Sequence, residues 1–242
     1  MNNKVKNAKS IETLNIHFKS FLEKRVYDVL KEYGIEPQYE AHKYVLFKDF
    51  KPRIPLFCLT DKHLSYSKKK ILPITYTPDF TFVYKDLFVI IEVKGFPNDV
   101  FPYKFKMFRH LLEELSKTET TYKYVLVEIF NTEQLREFIK ILTSYDPMHL
   151  NLNLQDLESC IEDPSVFKSL VKLYDTKKYE DLEIALRKAQ RSLAKNIKAS
   201  GGNAWKDPRY TKMHELINSV ALYTIRDQLL TENSDSFTDT DD

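Results

Sequence analysis

The chain has 242 residues, with 37 lysines and arginines against 35 acidic residues and two cysteines. That length can bury a substantial core, and Cys58 and Cys160 are too few and too far apart for a disulfide framework or a cysteine zinc site. No apolar run approaches the ~18 residues of a membrane span, so we expect a soluble, cytoplasmic protein. The last twelve residues hold five acids, which leaves 37 basic against 30 acidic residues before them. This surplus permits a polyanionic partner, although an ordinary solvated surface explains it as well.

The first part of the chain alternates helical and strand patterns. The spacing of apolar residues predicts a helix over residues 12–33 that stops at Gly34, then strands within 38–47, 71–84 and 87–93. The Lys85-Asp86 pair between the last two strands predicts a hairpin turn. A helix over 102–116, a strand over 122–130 and a helix over 132–143 follow. This order predicts an α+β fold with a mixed sheet flanked by helices.

Beyond residue 145 every periodic segment is helical. Helices are expected near residues 165–174, 178–198 and 208–230, and two of the four glycines lie between the last two. We therefore expect a first domain at 1–146, a helical domain at 147–230 and a disordered acidic tail at 231–242.

Three charged residues interrupt strands that otherwise look buried on both faces: Asp79, Glu92 and Lys94. Alternation along the strand places Glu92 and Lys94 on one face, and Pro78 indicates a bend that would bring Asp79 towards Glu92. Two buried carboxylates repel and are costly to desolvate unless a cation lies between them. A divalent metal would fit. Alternatively, Asp79 is a turn residue and Glu92 and Lys94 form an ion pair at a solvated edge.

The sequence "TPDF" at 77–80, followed by "EVKG" at 92–95, resembles the signature of the PD-(D/E)xK nuclease superfamily. That superfamily also carries an acid on the helix before the sheet, and Glu23 lies on the apolar face of the first predicted helix. The resemblance implies a restriction-endonuclease-like core and hydrolysis of DNA with Mg²⁺ or Mn²⁺. It also implies that Glu23, Asp79 and Glu92 are metal ligands and that Lys94 is the catalytic lysine.

Residues 20–112 more narrowly resemble phage-encoded members related to phage endonuclease I and other Holliday-junction resolvases. The resemblance implies an endonuclease acting on branched or double-stranded DNA in phage recombination, in the host cytoplasm. Two symmetric cuts would call for a homodimer. Glu40 either supports the site or flanks a strand. The roughly 85 helical residues beyond the compact pattern match nothing in it, and they would serve dimerisation, a partner or DNA.

Two basic groups are candidates for phosphate contacts. Lys104, Lys106 and Arg109 follow the motif on a helix whose phenylalanines, Phe105 and Phe108, face the core. The second group is Lys68, Lys69 and Lys70. Exposed lysines of this kind are also ordinary surface residues.

Trp205 and Tyr210 lie among basic residues in the later helical region. They would either stack on unpaired bases or pin a loop to the core.

Two rival functions remain open. One is a nuclease that reads sequence, such as a restriction-like or transposon-end enzyme. The other is an inactive nuclease fold that binds DNA or assembles with partners through its helical C-terminal region.

Overall fold

The computed structural model describes residues 11–13, 16–60, 63–95, 100–119 and 121–235. It confirms a mixed α+β fold with a mixed sheet flanked by helices and a helical C-terminal region. The chain divides into two compact units, residues 1–136 and 137–242. The predicted division near residue 146 lies about ten residues later. Most of the predicted acidic tail, residues 236–242, lies outside the described residues.

The first unit contains all ten strands of the described residues. They are β1 (Ile11–Thr13), β2 (Ile16–Phe18), β3 (Gln38–Tyr39), β4 (Tyr44–Phe47), β5 (Leu56–Thr60), β6 (His63–Ser67), β7 (Ile74–Tyr76), β8 (Phe80–Tyr84), β9 (Leu87–Val93) and β10 (Lys123–Ile129). The helices of the chain are α1 (Phe21–Glu32), α2 (Phe101–Ser116), α3 (Thr132–Ser144), α4 (Leu154–Cys160), α5 (Pro164–Asp175), α6 (Tyr179–Ala199) and α7 (Pro208–Asp235). The two units meet in sequence within α3.

The central sheet has four strands in the order β10-β9-β8-β3. β8 and β9 form the predicted antiparallel hairpin, in which Phe80 lies opposite Ile91, and the turn residue Lys85 has a φ of 55°. β9 and β10 run parallel and are connected through α2, as a parallel pair requires. The sheet is therefore mixed, and β9 lies between two neighbours.

The first predicted helix begins nine residues too early. β1 and β2 pair antiparallel where the helix was predicted to start, and α1 begins only at Phe21. The start is fixed by Ser20, whose side chain accepts a hydrogen bond from the backbone N–H of Glu23 and thereby caps the helix. The predicted stop is confirmed, since Gly34 has a φ of 73°, a conformation that glycine adopts without strain.

Three other elements were not predicted. The basic segment before Asp79 contains the antiparallel pair β5–β6, and α4 lies in a stretch for which no element was predicted. The predicted strand at 71–84 is divided into β7 and β8, because Thr77, Pro78 and Asp79 leave the strand conformation. That break lies at the candidate site.

A hydrophobic cluster joins α2 to the sheet. Tyr76, Ile90, Phe108 and Leu112 are buried together, and Phe88 and Phe105 pack against them. The rings of Tyr76 and Phe108 stack with their centroids 4.4 Å apart. As predicted, the phenylalanines of α2 face the core, while Lys106 and Arg109 are exposed.

The second unit is held together by apolar stripes on its two long helices. α6 buries Leu182, Leu186, Leu193 and Ile197, and α7 buries Met213, Ile217 and Val220. The short helices α4 and α5 are capped by Asn153 and Asp163, whose side chains accept from backbone N–H groups in the first turn. None of the described helices is both long and apolar enough to cross a membrane.

The packing of α2 can be tested by comparing two aromatic residues of this helix. Phe108→Ala removes a fully buried ring, so we expect a loss of about 3–5 kcal/mol in the free energy of unfolding. Tyr103 is largely exposed, and Tyr103→Ala should change that free energy by no more than about 0.5 kcal/mol. Urea unfolding of both variants measures this, and equal losses would contradict the packing described.

Candidate active site

The site lies where the β8–β9 hairpin meets the end of β7. The register that pairs Phe80 with Ile91 places Asp79 and Glu92 at the next pair of positions. Both carboxylates are buried, with 9% and 3% of the residue surface exposed. Sequence analysis therefore correctly predicted that Asp79 would approach Glu92.

Asp79 is held in place from two sides. Its Oδ2 accepts a hydrogen bond of 2.7 Å from the backbone N–H of Val93. Its backbone carbonyl accepts one of 2.9 Å from the N–H of Glu40, which adopts a left-handed φ of 47°. The break after β7 thus fixes the aspartate against the strand that carries Glu92.

Glu92 makes one strong contact and leaves one oxygen unpaired. Its Oε1 lies 2.5 Å from Nζ of Lys94, two residues along the same strand. Its Oε2 is fully buried and has no hydrogen-bond partner among the described residues. The Tyr76 hydroxyl lies close enough to this carboxyl to lower its pKa, but it makes no hydrogen bond of regular geometry with it. A buried carboxylate oxygen so weakly satisfied is costly, and it favours an added cation or donor.

Lys94 is anchored along its whole length. Its backbone N–H donates a 2.7 Å hydrogen bond to the carbonyl of Ile129, and its ammonium lies 4.3 Å from the ring centre of Phe101. About a quarter of the side chain is exposed, against almost none of the Glu92 side chain. The lysine therefore lies between the buried carboxylates and solvent.

Burial determines the proton affinity of the carboxyl pair. Desolvation raises the pKa of Asp79 well above its usual range, and the charge of Glu92 raises it further. Desolvation also raises the pKa of Glu92, while the Lys94 ammonium acts in the opposite direction. Two carboxylates and one ammonium leave a site that favours additional positive charge.

Glu23 is buried beside these groups, but its carboxylate already has donors. Its Oε1 accepts from the Ser20 hydroxyl at 2.7 Å, and its Oε2 accepts from the Tyr39 hydroxyl at 2.6 Å and from the N–H of Lys19 at 3.0 Å. Ser20 and Glu23 occupy the positions of a capping box, but the carboxylate accepts from the N–H of Lys19, the residue before the cap, rather than from that of Ser20. The burial of Glu23 on the apolar face is confirmed, and its role as a metal ligand stays a prediction.

Three residues at the site were not singled out from the sequence. Tyr76 is buried near Glu92, and its hydroxyl makes no hydrogen bond of regular geometry within the described part of the chain. Burial and the Glu92 charge raise its pKa, so the hydroxyl stays protonated. Glu128 is the register partner of Glu92 on β10, and an acid within an apolar strand was the available signal. Lys19 forms an ion pair with Glu40, so the Glu40 carboxylate has a partner within the protein.

The candidate phosphate contacts differ in their surroundings. Lys104 donates to the backbone carbonyl of Thr75 at 3.3 Å, whereas Lys106 and Arg109 are exposed on the same helix. Lys68 lies over the ring of Tyr66, Lys70 pairs with Asp49, and Lys69 is exposed.

In the second unit, Trp205 is largely exposed and contacts Tyr210 edge to face with a centroid distance of 5.2 Å. The indole therefore does not pin its loop to a core.

The donor set fits Mg²⁺ or Mn²⁺ better than it fits a metal enclosed by protein ligands. No group of three or more histidine, cysteine or acidic side chains that could hold a metal occurs in the described parts of the chain. Mg²⁺ commonly takes one or two carboxylates and fills its other positions with water and phosphate oxygens. Asp79 and the unpaired oxygen of Glu92 supply such a pair.

The chain belongs to a protein family. The family model described as "Protein of unknown function (DUF1064)" matches residues 3–126, about half of the chain. The match includes Glu23, Asp79, Glu92 and Lys94 and ends within β10. No curated protein and no solved structure matches the chain.

The raised pKa of Asp79 predicts how stability depends on pH. The folded metal-free chain binds this proton more tightly than the unfolded chain, so its stability should rise as the pH falls through the raised pKa of the folded state towards the ordinary aspartate pKa of the unfolded state. Above that pKa the buried charge costs stability. Asp79→Asn should therefore raise the melting temperature at pH 8, by about 2–4 °C for each kcal/mol relieved, and the gain should shrink in acid.

Scanning calorimetry in EDTA between pH 5 and pH 8 measures this difference. Glu113→Gln, on the exposed face of α2, serves as the control for loss of a carboxylate. A gain from Asp79→Asn that grows as the pH falls would contradict the predicted sign.

Proposed function

We propose that the chain is a metal-dependent endonuclease that hydrolyses phosphodiester bonds in DNA. The observation that carries this proposal is the unpaired, buried Oε2 of Glu92 beside the buried carboxylate of Asp79. Such a pair is costly in a folded protein unless a cation completes it. A structural ion pair accounts for Lys94 and one oxygen of Glu92, and the second oxygen has only the Tyr76 hydroxyl beside it, without a hydrogen bond of regular geometry.

Asp79 and Glu92 would hold the metal. When bound, Mg²⁺ or Mn²⁺ activates water for attack on phosphorus and stabilises the negative charge that develops on the phosphate. The protein would keep the two ligands rigid, because Asp79 accepts a hydrogen bond from the backbone of Val93 and Glu92 lies on β9, an interior strand of the four-stranded sheet.

Lys94 would act on the substrate side of the carboxylate pair. Its ammonium can donate to the attacking water or to a phosphate oxygen, because it lies at the partly exposed end of the carboxylate pair. The aromatic ring of Phe101 limits its movement. Glu23 accepts hydrogen bonds from the Tyr39 hydroxyl and the N–H of Lys19, and these bonds stabilise the N-terminal end of α1 near Asp79.

DNA is the polymer that the surrounding charges favour. Lys106 and Arg109 are exposed on the helix that follows the site, and Lys68 and Lys69 lie on the segment that precedes β7. Cations of this kind contact phosphates irrespective of sequence, and they supply affinity that salt weakens. The resemblance of "TPDF" and "EVKG" to the nuclease signature agrees with this assignment.

The proposal predicts loss of cleavage in three variants. Asp79→Asn, Glu92→Gln and Lys94→Ala should each slow Mg²⁺-dependent cutting of labelled DNA by at least about a hundredfold, because each removes a group that stabilises the reacting phosphate or its metal. DNA binding should survive in all three. Single-turnover assays on four-way junction, flap and linear duplex, with Mg²⁺, Mn²⁺ or EDTA, measure the rates.

One exposed residue of the first unit and one of the second serve as controls with matched changes of charge. Glu113→Gln on α2 and Lys140→Ala on α3 remove the same charges at positions outside the set Asp79, Glu92 and Lys94. Equal losses in the controls would indicate a general effect of charge. Tight DNA binding by the wild type without cutting under any of these metals would favour the inactive, DNA-binding alternative.

A further inference from the structure

The β5–β6 pair has an unusual distribution of side chains. In its register, Phe57 lies opposite Tyr66 and Leu59 lies opposite Leu64, so these four side chains share one face. All four are exposed, at 61%, 48%, 76% and 72% respectively. The other face carries Leu56 together with Cys58, Ser65 and Ser67, which are smaller or more polar. Four of the five large apolar residues of the pair thus share one exposed face. Leu56, on the other face, is also exposed, whereas Cys58, Ser65 and Ser67 are partly covered.

An exposed apolar face of this kind indicates a binding surface. Soluble chains seldom leave a contiguous set of large apolar side chains in water, and a two-stranded ribbon gains no stability from exposing them. We name this face, formed by Phe57, Leu59, Leu64 and Tyr66, the ribbon face.

The charge around the ribbon identifies the partner. Residues 48–70 contain seven lysines and arginines against two aspartates, although the whole chain is nearly neutral. Among the described residues of this segment, Lys48, Lys51 and Arg53 are exposed and have no acidic partner. A strongly cationic rim around an apolar centre matches nucleic acid, whose phosphates surround apolar base faces. A second copy of this chain would bring the same cations together.

The ribbon is joined directly to the candidate active site. The strands β4 and β7, which flank the ribbon in the sequence, pair antiparallel, and the bridge between Phe50 and Ile71 extends that pairing towards the ribbon. β7 ends at Tyr76, three residues before Asp79, and Lys104 of α2 bonds to the backbone of Thr75. Whatever the ribbon binds is therefore connected to the catalytic hairpin through one short strand.

We propose that the ribbon is a DNA-contacting arm whose apolar face packs on exposed base surfaces, while the surrounding cations hold the flanking phosphates. A β-ribbon is narrow enough to enter a DNA groove, and apolar side chains there contact bases that are unpaired or unstacked. In an intact duplex the base faces are covered by stacking. The ribbon face therefore favours branched or distorted DNA over regular duplex. This inference rests on the proposed function and extends it to the choice of DNA shape.

The test separates shape preference from general DNA affinity. In the Asp79→Asn chain, which binds without cutting, Phe57→Ser with Leu59→Ser should weaken binding to a four-way junction about tenfold or more. Affinity for linear duplex of the same length should change by less than about twofold, because duplex binding depends on phosphates. Fluorescence anisotropy in EDTA at fixed salt measures both constants.

Two further variants complete the design. Ile184→Ser removes an exposed apolar side chain from the second unit and should leave both affinities unchanged. Replacing Lys68, Lys69 and Lys70 by glutamine should weaken junction and duplex alike and reduce the salt dependence of binding. Circular dichroism confirms that the variants are folded.

Two results would overturn the proposal. One is an unchanged junction affinity in the Phe57→Ser, Leu59→Ser variant. The other is a wild-type dimer that this variant converts to monomer at the same concentration in sedimentation, since the ribbon face would then join two copies of the chain. Binding is measured separately from cleavage. The proposed role of the ribbon face in binding can therefore be disproved while the proposed nuclease activity holds, and the nuclease activity can be disproved while the role of the ribbon face holds.

Discussion

The burial of Asp79 against Glu92 is the constraint on which the rest of the site depends. The hairpin register brings the two carboxylates together, and the backbone of Val93 holds one of them in place. Each must leave water to occupy its position, and Lys94 neutralises only part of their charge. The fold therefore holds a local electrostatic cost that a bound cation would relieve. A cation that binds only the folded chain would therefore make the protein more stable than it is without the ion.

The sequence was sufficient to predict the hairpin, its inward-facing charges and the order of helices and strands around it. These features follow from alternation over a few residues and from charges in apolar strands, which are local signals. The paired acid Glu128 and the buried hydroxyl of Tyr76 could not be found in this way, because strand register and packing bring them to Glu92. The side-chain donors to Glu23 come from Ser20 and Tyr39, and only Ser20 is close to it in sequence.

The errors in the predicted elements have local physical causes. The apolar residues before Ser20 fit a helical period, yet the cap at Ser20 and the pairing of β1 with β2 determine where α1 begins. β5 and β6 lie in a segment rich in lysine and proline, and they were therefore not predicted as strands, although Leu56, Phe57 and Leu59 form an apolar run. The exposed apolar face of β5–β6 departs from ordinary patterning, and departures from local rules tend to lie at functional sites.

Crystals soaked in Mn²⁺ would test the central claim most directly. The anomalous scattering of manganese locates the ion without reference to any activity. The account predicts a peak between the carboxylates of Asp79 and Glu92, with Oε2 of Glu92 as a ligand, and no such peak in the Asp79→Asn variant. A saturating soak that leaves this position empty while the Lys94–Glu92 ion pair persists would contradict it.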